Sequence, residues 1–405
     1  MSSKEIKVTF ETLTPLWTGD AWRKCDQLKL TGILGSLRWW FEALVRGMGY
    51  KACDSTGDKC QVEIKNPEDV LNIQEKICPV CYLFGTTGWK SRFSVSVENN
   101  NLSKPYNGRV LVRINRGKNW YYESGLMGDV GLKFNYDENI ILGVLKEQNE
   151  DEKTLTLKDV FPSILKILLY LISKHGMLGA KTSMGYGVVK IQIEDNNISI
   201  SEDDWNKFEN YLKLFNKKFK GSINWLPNLR DFFFVKFNVT GGIDNVINNV
   251  KGFFRYQDGI IETNVIDKWK DKNWCITSPI VRKEIRNKIR EEFNSNNAIR
   301  HFLMGKVAGK NTKFSAIQVS NVYKNKQNKL EFRIYGWLPE INSINSKVND
   351  IIELLTKLFK NTSSWNSKLP STIQNNICWD NSGLKKINSN IKALFVKNDN
   401  QGDYQ

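Results

Sequence analysis

Hydrophobic and polar residues alternate over residues 4–14, which is the period of a strand with one buried face. Pro15 and Gly19 follow and mark the end of that strand. The pattern then changes to apolar residues three and four positions apart, which predicts a helix that ends at Gly47 and Gly49. The apolar positions of this helix are Ile33, Leu37, Trp40, Phe41 and Leu44.

The same patterns predict the rest of a first module. We expect strands over residues 93–98, 109–114 and 186–193. Residues 164–172 are nearly all apolar, so we expect a helix there that is buried against a sheet and capped by Gly176. The order strand, helix, two strands, helix, strand is that of a ferredoxin-like domain.

A second module is predicted beyond a helical connection. Ser201 is placed to cap a helix in that connection, and Pro227 interrupts the chain after it. Strands are expected over residues 232–239 and 329–337, and an amphipathic helix over residues 348–359.

A weak internal repeat supports two copies of one fold, because Leu83-Phe84-Gly85 parallels Leu303-Met304-Gly305 ahead of strand-like residues. We therefore predict an α+β fold of tandem ferredoxin-like (RRM-like) domains with helical insertions. The expected divisions are an N-terminal domain with a cysteine-containing insertion over 1–198, a helical connection over 199–229, a degenerate C-terminal domain over 230–381 and a polar, partly flexible tail over 382–405.

The net charge of the chain indicates which classes of molecule it binds. Lys and Arg number 59 against 43 Asp and Glu, which gives a net charge of +16. Such an excess attracts polyanions, and nucleic acid is favoured over an anionic membrane because no long basic amphipathic helix is present. A surplus of solubilising lysines is the alternative. No apolar run is long enough to span a bilayer and no signal-type segment is seen, so we expect a cytoplasmic protein.

Four of the cysteines are spaced for a metal site. Cys53, Cys60, Cys78 and Cys81 are separated by six, seventeen and two residues. The last two place their thiolates within reach of one tetrahedral ion, and the upstream pair can complete a four-sulfur structural zinc site. Reduced thiols that only pack are the alternative. In a reducing compartment clustered cysteines indicate metal rather than disulfides.

A glycine-rich segment runs from Gly176 to Gly187. Its glycines allow positive φ and close backbone approach, while Lys181, Thr182 and Ser183 offer a cation and two hydroxyls to phosphate and ribose oxygens. It lacks the Gly-Lys-Ser/Thr ending of a Walker loop. The alternative is a tight turn before a strand.

The end of the first strand and the start of the first helix give four more RNA-binding candidates. Trp17 and Thr18 lie at the strand end, and Arg38 lies about one turn into the helix. Arg38 can reach a phosphate or pair with Glu42, and Trp39 can stack on a base, contact another subunit or pack in the core.

A third basic group comprises Lys306, Lys310 and Lys313, which are framed by glycines and are also RNA-binding candidates. Catalytic patterns are missing from the sequence. The two histidines, His175 and His301, are far apart, and no acidic cluster has a two-metal spacing. We therefore expect no enzymatic activity.

Four segments together resemble a known family. They are Thr14–Gly19, Gly32–Glu42, Cys78–Gly85 and Gly176–Gly187. In this order and spacing they resemble the first RAMP-superfamily subunit of the type III-B CRISPR effector, the Cmr complex. The second half departs from the full RAMP pattern, since it has no clear second glycine-rich loop.

That resemblance implies tandem ferredoxin-like domains and a non-catalytic role in an RNA-guided antiviral complex. It implies contacts with the 3′ region of the guide RNA, with the guide–target duplex and with other RAMP subunits of the complex. Two alternatives stay open: a metal-independent RAMP endoribonuclease that processes guide precursors, for which His175 is the one candidate residue, and a structural subunit that contacts only protein.

Overall fold

The computed structural model describes residues 3–54, 60–115, 118–145, 152–215, 226–239, 241–256, 263–293, 297–305, 315–338, 353–354, 357, 373–377 and 391–396. The predicted helix over 348–359 falls largely outside these ranges. In the described residues the chain forms antiparallel sheets covered by helices, which confirms the α+β fold.

The strands are β1 (Ser3–Thr12), β2 (Phe93–Asn100), β3 (Arg109–Asn115), β4 (Lys118–Glu123), β5 (Asp129–Asp137), β6 (Ile141–Leu145), β7 (Lys153–Thr156), β8 (Val189–Ile193), β9 (Asn196–Asn197), β10 (Phe232–Val239), β11 (Phe254–Tyr256), β12 (Trp274–Cys275), β13 (Ile317–Val319), β14 (Val322–Lys324), β15 (Leu330–Trp337) and β16 (Ile373–Ile377).

The helices are α1 (Leu30–Gly47), α2 (Pro67–Leu71), α3 (Ile73–Lys76), α4 (Pro79–Phe84), α5 (Leu157–Lys174), α6 (Glu202–Lys213), α7 (Ile243–Val250), α8 (Thr263–Asp271), α9 (Ser278–Glu292) and α10 (Asn297–Met304). Ser201 caps α6 as predicted, since its hydroxyl accepts a hydrogen bond from the backbone N–H of Asp204. None of the helices within the described ranges has the length and apolar character needed to cross a bilayer.

The first sheet has the order β2-β5-β1-β8-β9, and its neighbouring strands are antiparallel. With α1 and α5 it forms the predicted β-α-β-β-α-β module. Its third strand is β5, which the sequence interpretation missed. Residues 109–114 do form a strand, β3, but β3 pairs with β4 and β11 in a separate sheet. An alternating pattern predicts a strand but not the strand with which it pairs. The sequence therefore assigned β3 to the position in the first sheet that β5 occupies.

The second sheet repeats this arrangement. β10 lies between β15 and β16, and β15 pairs in turn with β13 and β14. The order β14-β15-β10-β16 therefore corresponds to β2-β5-β1-β8 in the first sheet. A twofold occurrence of one strand order is the arrangement expected of tandem ferredoxin-like modules.

The internal repeat seen in the sequence also has a structural counterpart. The Ser91 hydroxyl lies 3.3 Å from the carbonyl oxygen of Leu83, and the Ser315 hydroxyl lies 2.8 Å from that of Leu303. Each serine thus ties the helix of the repeat, α4 or α10, to the strand that follows it. The same side-chain contact closes the same connection in both halves.

The two halves share one hydrophobic core. Trp40 of α1 is fully buried, and its ring lies 5.7 Å from that of Phe232 and 5.3 Å from that of Tyr335, both in the second sheet. Arg333 of β15 is buried and donates hydrogen bonds to the carbonyl oxygens of Ser173 and Gly176, at the end of α5. A cation at a helix C-terminus is electrostatically favourable, so this contact stabilises the junction.

Candidate metal centre and nucleic-acid surface

The four predicted cysteines come together beside α1. Cys78 is the N-cap of α4, and its sulfur accepts a hydrogen bond of 3.4 Å from the backbone N–H of Cys81. Pro79 favours the start of α4 because it fixes φ and lacks an N–H that would need a partner. Cys53 reaches the same point from the segment after α1, and Cys60 from beyond residues 55–59, which lie outside the described part of the chain.

The geometry of the cysteine cluster fits a tetrahedral ion. The four sulfur atoms all lie within 4.8 Å of one another, and those of Cys53 and Cys81 are 3.2 Å apart. Four thiolates around a Zn²⁺ ion with bonds of about 2.3 Å stand roughly 3.8 Å apart, so small shifts accommodate the metal. The structure therefore brings together a set of ligands that could hold a metal ion.

The protonation of the cluster is interdependent. Hydrogen bonds from Cys60, Cys78 and Cys81 lower the pKa of the Cys53 thiol and oppose the effect of its burial. Hydrogen bonding with Cys53, Cys60 and Cys81 raises the pKa of Cys78, and burial raises it further. Hydrogen bonding within the cluster thus favours the thiolate at Cys53 and opposes a further one at Cys78. A bound divalent cation removes that conflict.

Arg38 belongs to the surroundings of this cluster. Its Nη2 donates a hydrogen bond to the Cys81 sulfur at 2.9 Å, its Nη1 donates to the Gly85 carbonyl at 2.7 Å, and its Nε donates to Glu42 at 3.1 Å. Burial opposes the charge of Arg38, but Cys81 and Glu42 outweigh it and raise the pKa of the guanidinium. Of the two predicted roles of Arg38, the structure has the pair with Glu42, and its donors are directed inward.

Arg46, two turns farther along α1, holds the other side of the cysteine segment. Its Nη2 donates to the Cys53 carbonyl at 2.8 Å, and its Nη1 donates to the Pro227 carbonyl at 2.9 Å. Glu42 lies between Arg38 and Arg46 and pairs with both. This row of three charges connects the cysteine cluster, α1 and the start of the second half.

The glycine-rich segment Gly176–Gly187 is packed against the protein's own backbone. Gly187 has a φ of 91°, and a Cβ there would lie 2.0 Å from the carbonyl oxygen of Leu178. Gly185 accepts a hydrogen bond of 3.2 Å from the backbone N–H of Asn321, in the second half. The glycines thus allow a close approach of two parts of one chain, and the loop contacts both halves before it enters β8.

The cation and the hydroxyls of this loop also have protein partners. The ammonium of Lys181 lies 3.1 Å from the ring centroid of Trp17 and 3.7 Å from Glu123. Burial lowers the pKa of Lys181, and Glu123 opposes that shift. Thr182 donates a hydrogen bond of 3.2 Å to Gln318, and Ser183 is half-buried beside it. Lys181, the charged residue of this loop, keeps part of its surface in solvent.

Two of the RNA-binding candidates are interior residues. Trp17 is 3% exposed and Thr18 is 1% exposed. The Thr18 hydroxyl accepts a hydrogen bond from the backbone N–H of Lys29 at 3.0 Å. Neither side chain is presented to solvent, so the expectation that they contact RNA directly is corrected: they shape the loop between β1 and α1.

Trp39 is partly buried between the two halves. Its ring centroid lies 5.7 Å from that of Trp337 and 6.1 Å from that of Phe232. Of the roles predicted for Trp39, this arrangement corresponds to core packing. The predicted basic group of Lys306, Lys310 and Lys313 lies outside the described residues.

His175, the one residue that favoured an endoribonuclease, is buried at the end of α5. It is 9% exposed, its ring lies 4.9 Å from that of Phe234, and its Nδ1 has no hydrogen-bond partner among the described residues. Burial and the nearby cations Lys236 and Arg333 lower its pKa well below 6.5. A neutral imidazole enclosed in this way is poorly placed to exchange protons with RNA.

Two exposed aromatic residues were overlooked in the sequence. Trp22 is 80% exposed at a turn in which Asp20 accepts hydrogen bonds from the backbone N–H groups of Trp22 and Lys24. Tyr121 is 54% exposed on β4. The signal was an aromatic residue close to basic residues, as in Trp22-Arg23-Lys24, which is typical of nucleic-acid surfaces.

The fold and these motifs agree with one known family. Residues 9–190 match the RAMP superfamily model. The match covers β2, β5, most of the rest of the first module, the cysteine cluster and the glycine-rich segment, so this part of the chain is similar to RAMP proteins. Similarity to the RAMP superfamily suggests a CRISPR-associated role in RNA binding. A search of curated proteins finds no match to the chain.

Proposed function

We propose that this chain is a non-catalytic RNA-binding subunit of a type III-B CRISPR Cmr complex that acts in antiviral defence in the cytoplasm. It holds the 3′ region of the guide RNA and its duplex with target RNA, and it contacts the neighbouring RAMP subunits. The observation that carries the proposal is the RAMP match over residues 9–190, joined to a net charge of +16.

The proposed mechanism is electrostatic and geometric. Lysine and arginine side chains bind phosphates independently of sequence, and base pairing between guide and target supplies the specificity. The partly exposed Lys181 lies at the surface where the glycine-rich segment meets the second half, which suits a backbone contact. Lys306 is assigned to the same role from the sequence alone.

We also propose that Cys53, Cys60, Cys78 and Cys81 hold a structural zinc ion. Their mutual distances support this, as does the closed, four-sulfur character of the set, which leaves no open position for catalysis. The ion would fix the segment between α1 and β2, whose helices α2 and α3 are short and mostly exposed. A closed site of this kind contributes folding free energy to a segment with a small core.

The test of RNA binding is a salt series on the purified full chain. Lys181→Glu combined with Lys306→Glu should weaken binding to any RNA sequence and reduce the slope of log K against log salt by roughly 0.7 for each lost phosphate contact on single-stranded RNA. Lys158→Glu, an exposed position on α5, is the matched control. Unchanged affinity and slope in the double variant would remove these two lysines from the interface.

The burial of His175 supports the non-catalytic proposal over the endoribonuclease alternative. Incubation of the full chain with labelled repeat RNA in EDTA tests the point, and discrete cleavage would favour the enzyme. Crosslinking of RNA to peptides of the assembled complex tests the remaining alternative, because a subunit that contacts only protein would yield no crosslinked peptide.

A further inference from the structure

The small sheet formed by β4, β3 and β11 has one face in solvent. We call this the outer face and define it by Arg109, Leu111, Arg113, Tyr121, Glu123 and Arg255, which the strand register places on the same side. β3 and β4 come from the first half of the chain and β11 from the second. The outer face therefore combines residues of both halves, with Arg255 supplied by the second.

The opposite face fixes the orientation of this sheet. Val110, Val112, Tyr122 and Phe254 are all fully buried, and the ring of Phe254 lies 5.1 Å from that of Trp269. Because side chains alternate along a strand, the burial of these residues holds the outer face toward solvent. The orientation of the surface is thereby fixed, since turning the sheet over would expose these four buried side chains.

An aromatic ring, that of Tyr121, stands on the outer face at the edge strand β4. Tyr121 is directly opposite Leu111 on β3, and Leu111 is opposite Arg255 on β11. More than half of Tyr121 is accessible to solvent. A large exposed ring on a sheet, next to cationic side chains, offers one flat surface on which a planar group can stack.

The charges around this ring are mostly positive. The carboxylate of Glu123 is bound by Arg109, with Nε to Oε1 at 2.7 Å, and lies 3.7 Å from the ammonium of Lys181. The described side chains of this face thus include three arginines and one carboxylate, and that carboxylate is already paired with Arg109 and Lys181. Arg113 is exposed, and the positive charge that Glu123 leaves uncompensated suits a ligand that is both anionic and aromatic.

We propose that the outer face binds an unpaired segment of RNA, with one base stacked on Tyr121 and adjacent phosphates on Arg113 and Arg109. This inference rests on the proposed function and adds a site to it. A single strand fits better than a duplex because the bases of a duplex are stacked on one another and hide their faces. Sheets that present aromatic residues in this way are used for single-stranded RNA in other protein modules.

The experiment compares the full chain and its variants by fluorescence anisotropy with a labelled oligouridine and with a blunt RNA duplex. Tyr121→Ala should weaken oligouridine binding by between about 5-fold and 150-fold and leave duplex binding nearly unchanged. Tyr121→Phe keeps the ring and should bind as the parent does. Leu71→Ala, which truncates an exposed apolar side chain on α2, is the control for a surface truncation.

Arg113→Gln is a second and independent variant, with Lys158→Gln as its matched control. It should lower the affinity for oligouridine and reduce the salt slope by roughly 0.7, whereas the control should not. Circular dichroism melting curves show whether each variant is folded. Photocrosslinking at the uracil band should place bound RNA on the peptide that contains Tyr121.

The possible results separate this inference from the proposed function. If the parent binds oligouridine and Tyr121→Ala binds it equally well, the outer face is not the site and the proposed function stands. If the parent binds neither probe, both proposals fail. An equal loss on single strand and duplex contradicts stacking. If Tyr121→Ala no longer co-purifies with neighbouring subunits but still binds RNA, the face belongs to a protein partner and the inference is overturned.

Discussion

The guanidinium of Arg38 donates a hydrogen bond to the sulfur of Cys81, with 2.9 Å between Nη2 and Sγ. A four-thiolate zinc site carries a net negative charge, and one partly buried arginine beside it offsets part of that charge. Because Arg38 lies on α1 and also binds the Gly85 carbonyl, the contact connects the ligand loop to the first module. The cysteine cluster and α1 therefore depend on each other.

Metal analysis tests the cysteine cluster. We expect the purified protein to contain one zinc ion per chain, measured by inductively coupled plasma mass spectrometry. Replacement of both Cys78 and Cys81 by Ser should abolish zinc binding and lower the free energy of unfolding by more than about 3 kcal/mol, because the segment then loses its crosslink.

The matched control for that experiment is Cys275→Ala. Cys275 is buried in β12 and is distant from the cluster in sequence, so this variant should retain zinc although it loses some core packing. A zinc content near zero in the gently purified parent would refute the site.

Arg38 is predicted to stabilise the metal-bound thiolates through its hydrogen bond to Cys81, without binding the metal itself. Arg38→Met should weaken zinc binding by roughly 10- to 100-fold, since a neighbour that stabilises a ligand typically contributes this much. Arg38→Lys keeps the charge but loses the planar fork that reaches Cys81, Gly85 and Glu42, so it should lie between the parent and Arg38→Met. Competition with a zinc-binding dye measures the affinities, and equal values for all three proteins would contradict the role.

Replacement of Gly187 and of Gly35 by Ala should change the stability of the protein in opposite directions. Gly187→Ala should destabilise the protein by about 2–4 kcal/mol, because φ is 91° and the new Cβ would lie 2.0 Å from the Leu178 carbonyl oxygen. Gly35→Ala, on an open surface of α1, should instead stabilise it by about 0.5–1 kcal/mol. Urea unfolding curves measure both changes in stability. An unchanged stability of Gly187→Ala would contradict the close contact between residue 187 and the Leu178 carbonyl.

His175 makes stability depend on pH. Its folded pKa is lowered by burial, so the unfolded chain binds a proton near pH 6.5 that the folded chain does not. Stability is then lost as the pH falls below the unfolded pKa, and a drop to about pH 5.5 should cost about 1.4 kcal/mol relative to neutral pH.

The comparison that isolates this effect is His175→Leu. Because Leu cannot bind a proton, the difference in unfolding free energy between parent and variant should change by about that amount between neutral pH and about pH 5.5. A difference that stays constant with pH would mean that His175 is protonated in the folded protein.

Much of the fold was available from local patterns, and particular residues show where those patterns stop. The alternation over residues 4–14 and the capping box at Ser201 gave β1 and the start of α6, because both signals are contained within a few neighbouring residues. The assignment of β3 to the first sheet failed because strand partners are chosen by distant residues, here Phe254 opposite Val112.

The candidate site divides in the same way. Cysteine spacing was enough to predict the ligands Cys53, Cys60, Cys78 and Cys81, because only a few residue types bind metal ions and they can be recognised in the sequence. Sequence could not tell that Trp17 is interior or that Tyr121 is exposed, because an aromatic residue is compatible with either place.

By itself, then, the sequence determined the two-module plan, the basic character of the protein and the residue types of the metal cluster, because these follow from short-range periodicity, composition and spacing. The tertiary structure alone decided that Arg38 faces Cys81, that the glycine-rich segment is packed on Asn321, and that Tyr121 shares one face of a sheet with arginines from both halves. Such contacts join residues far apart in the chain, and only the packing of one shared core brings them to the same place.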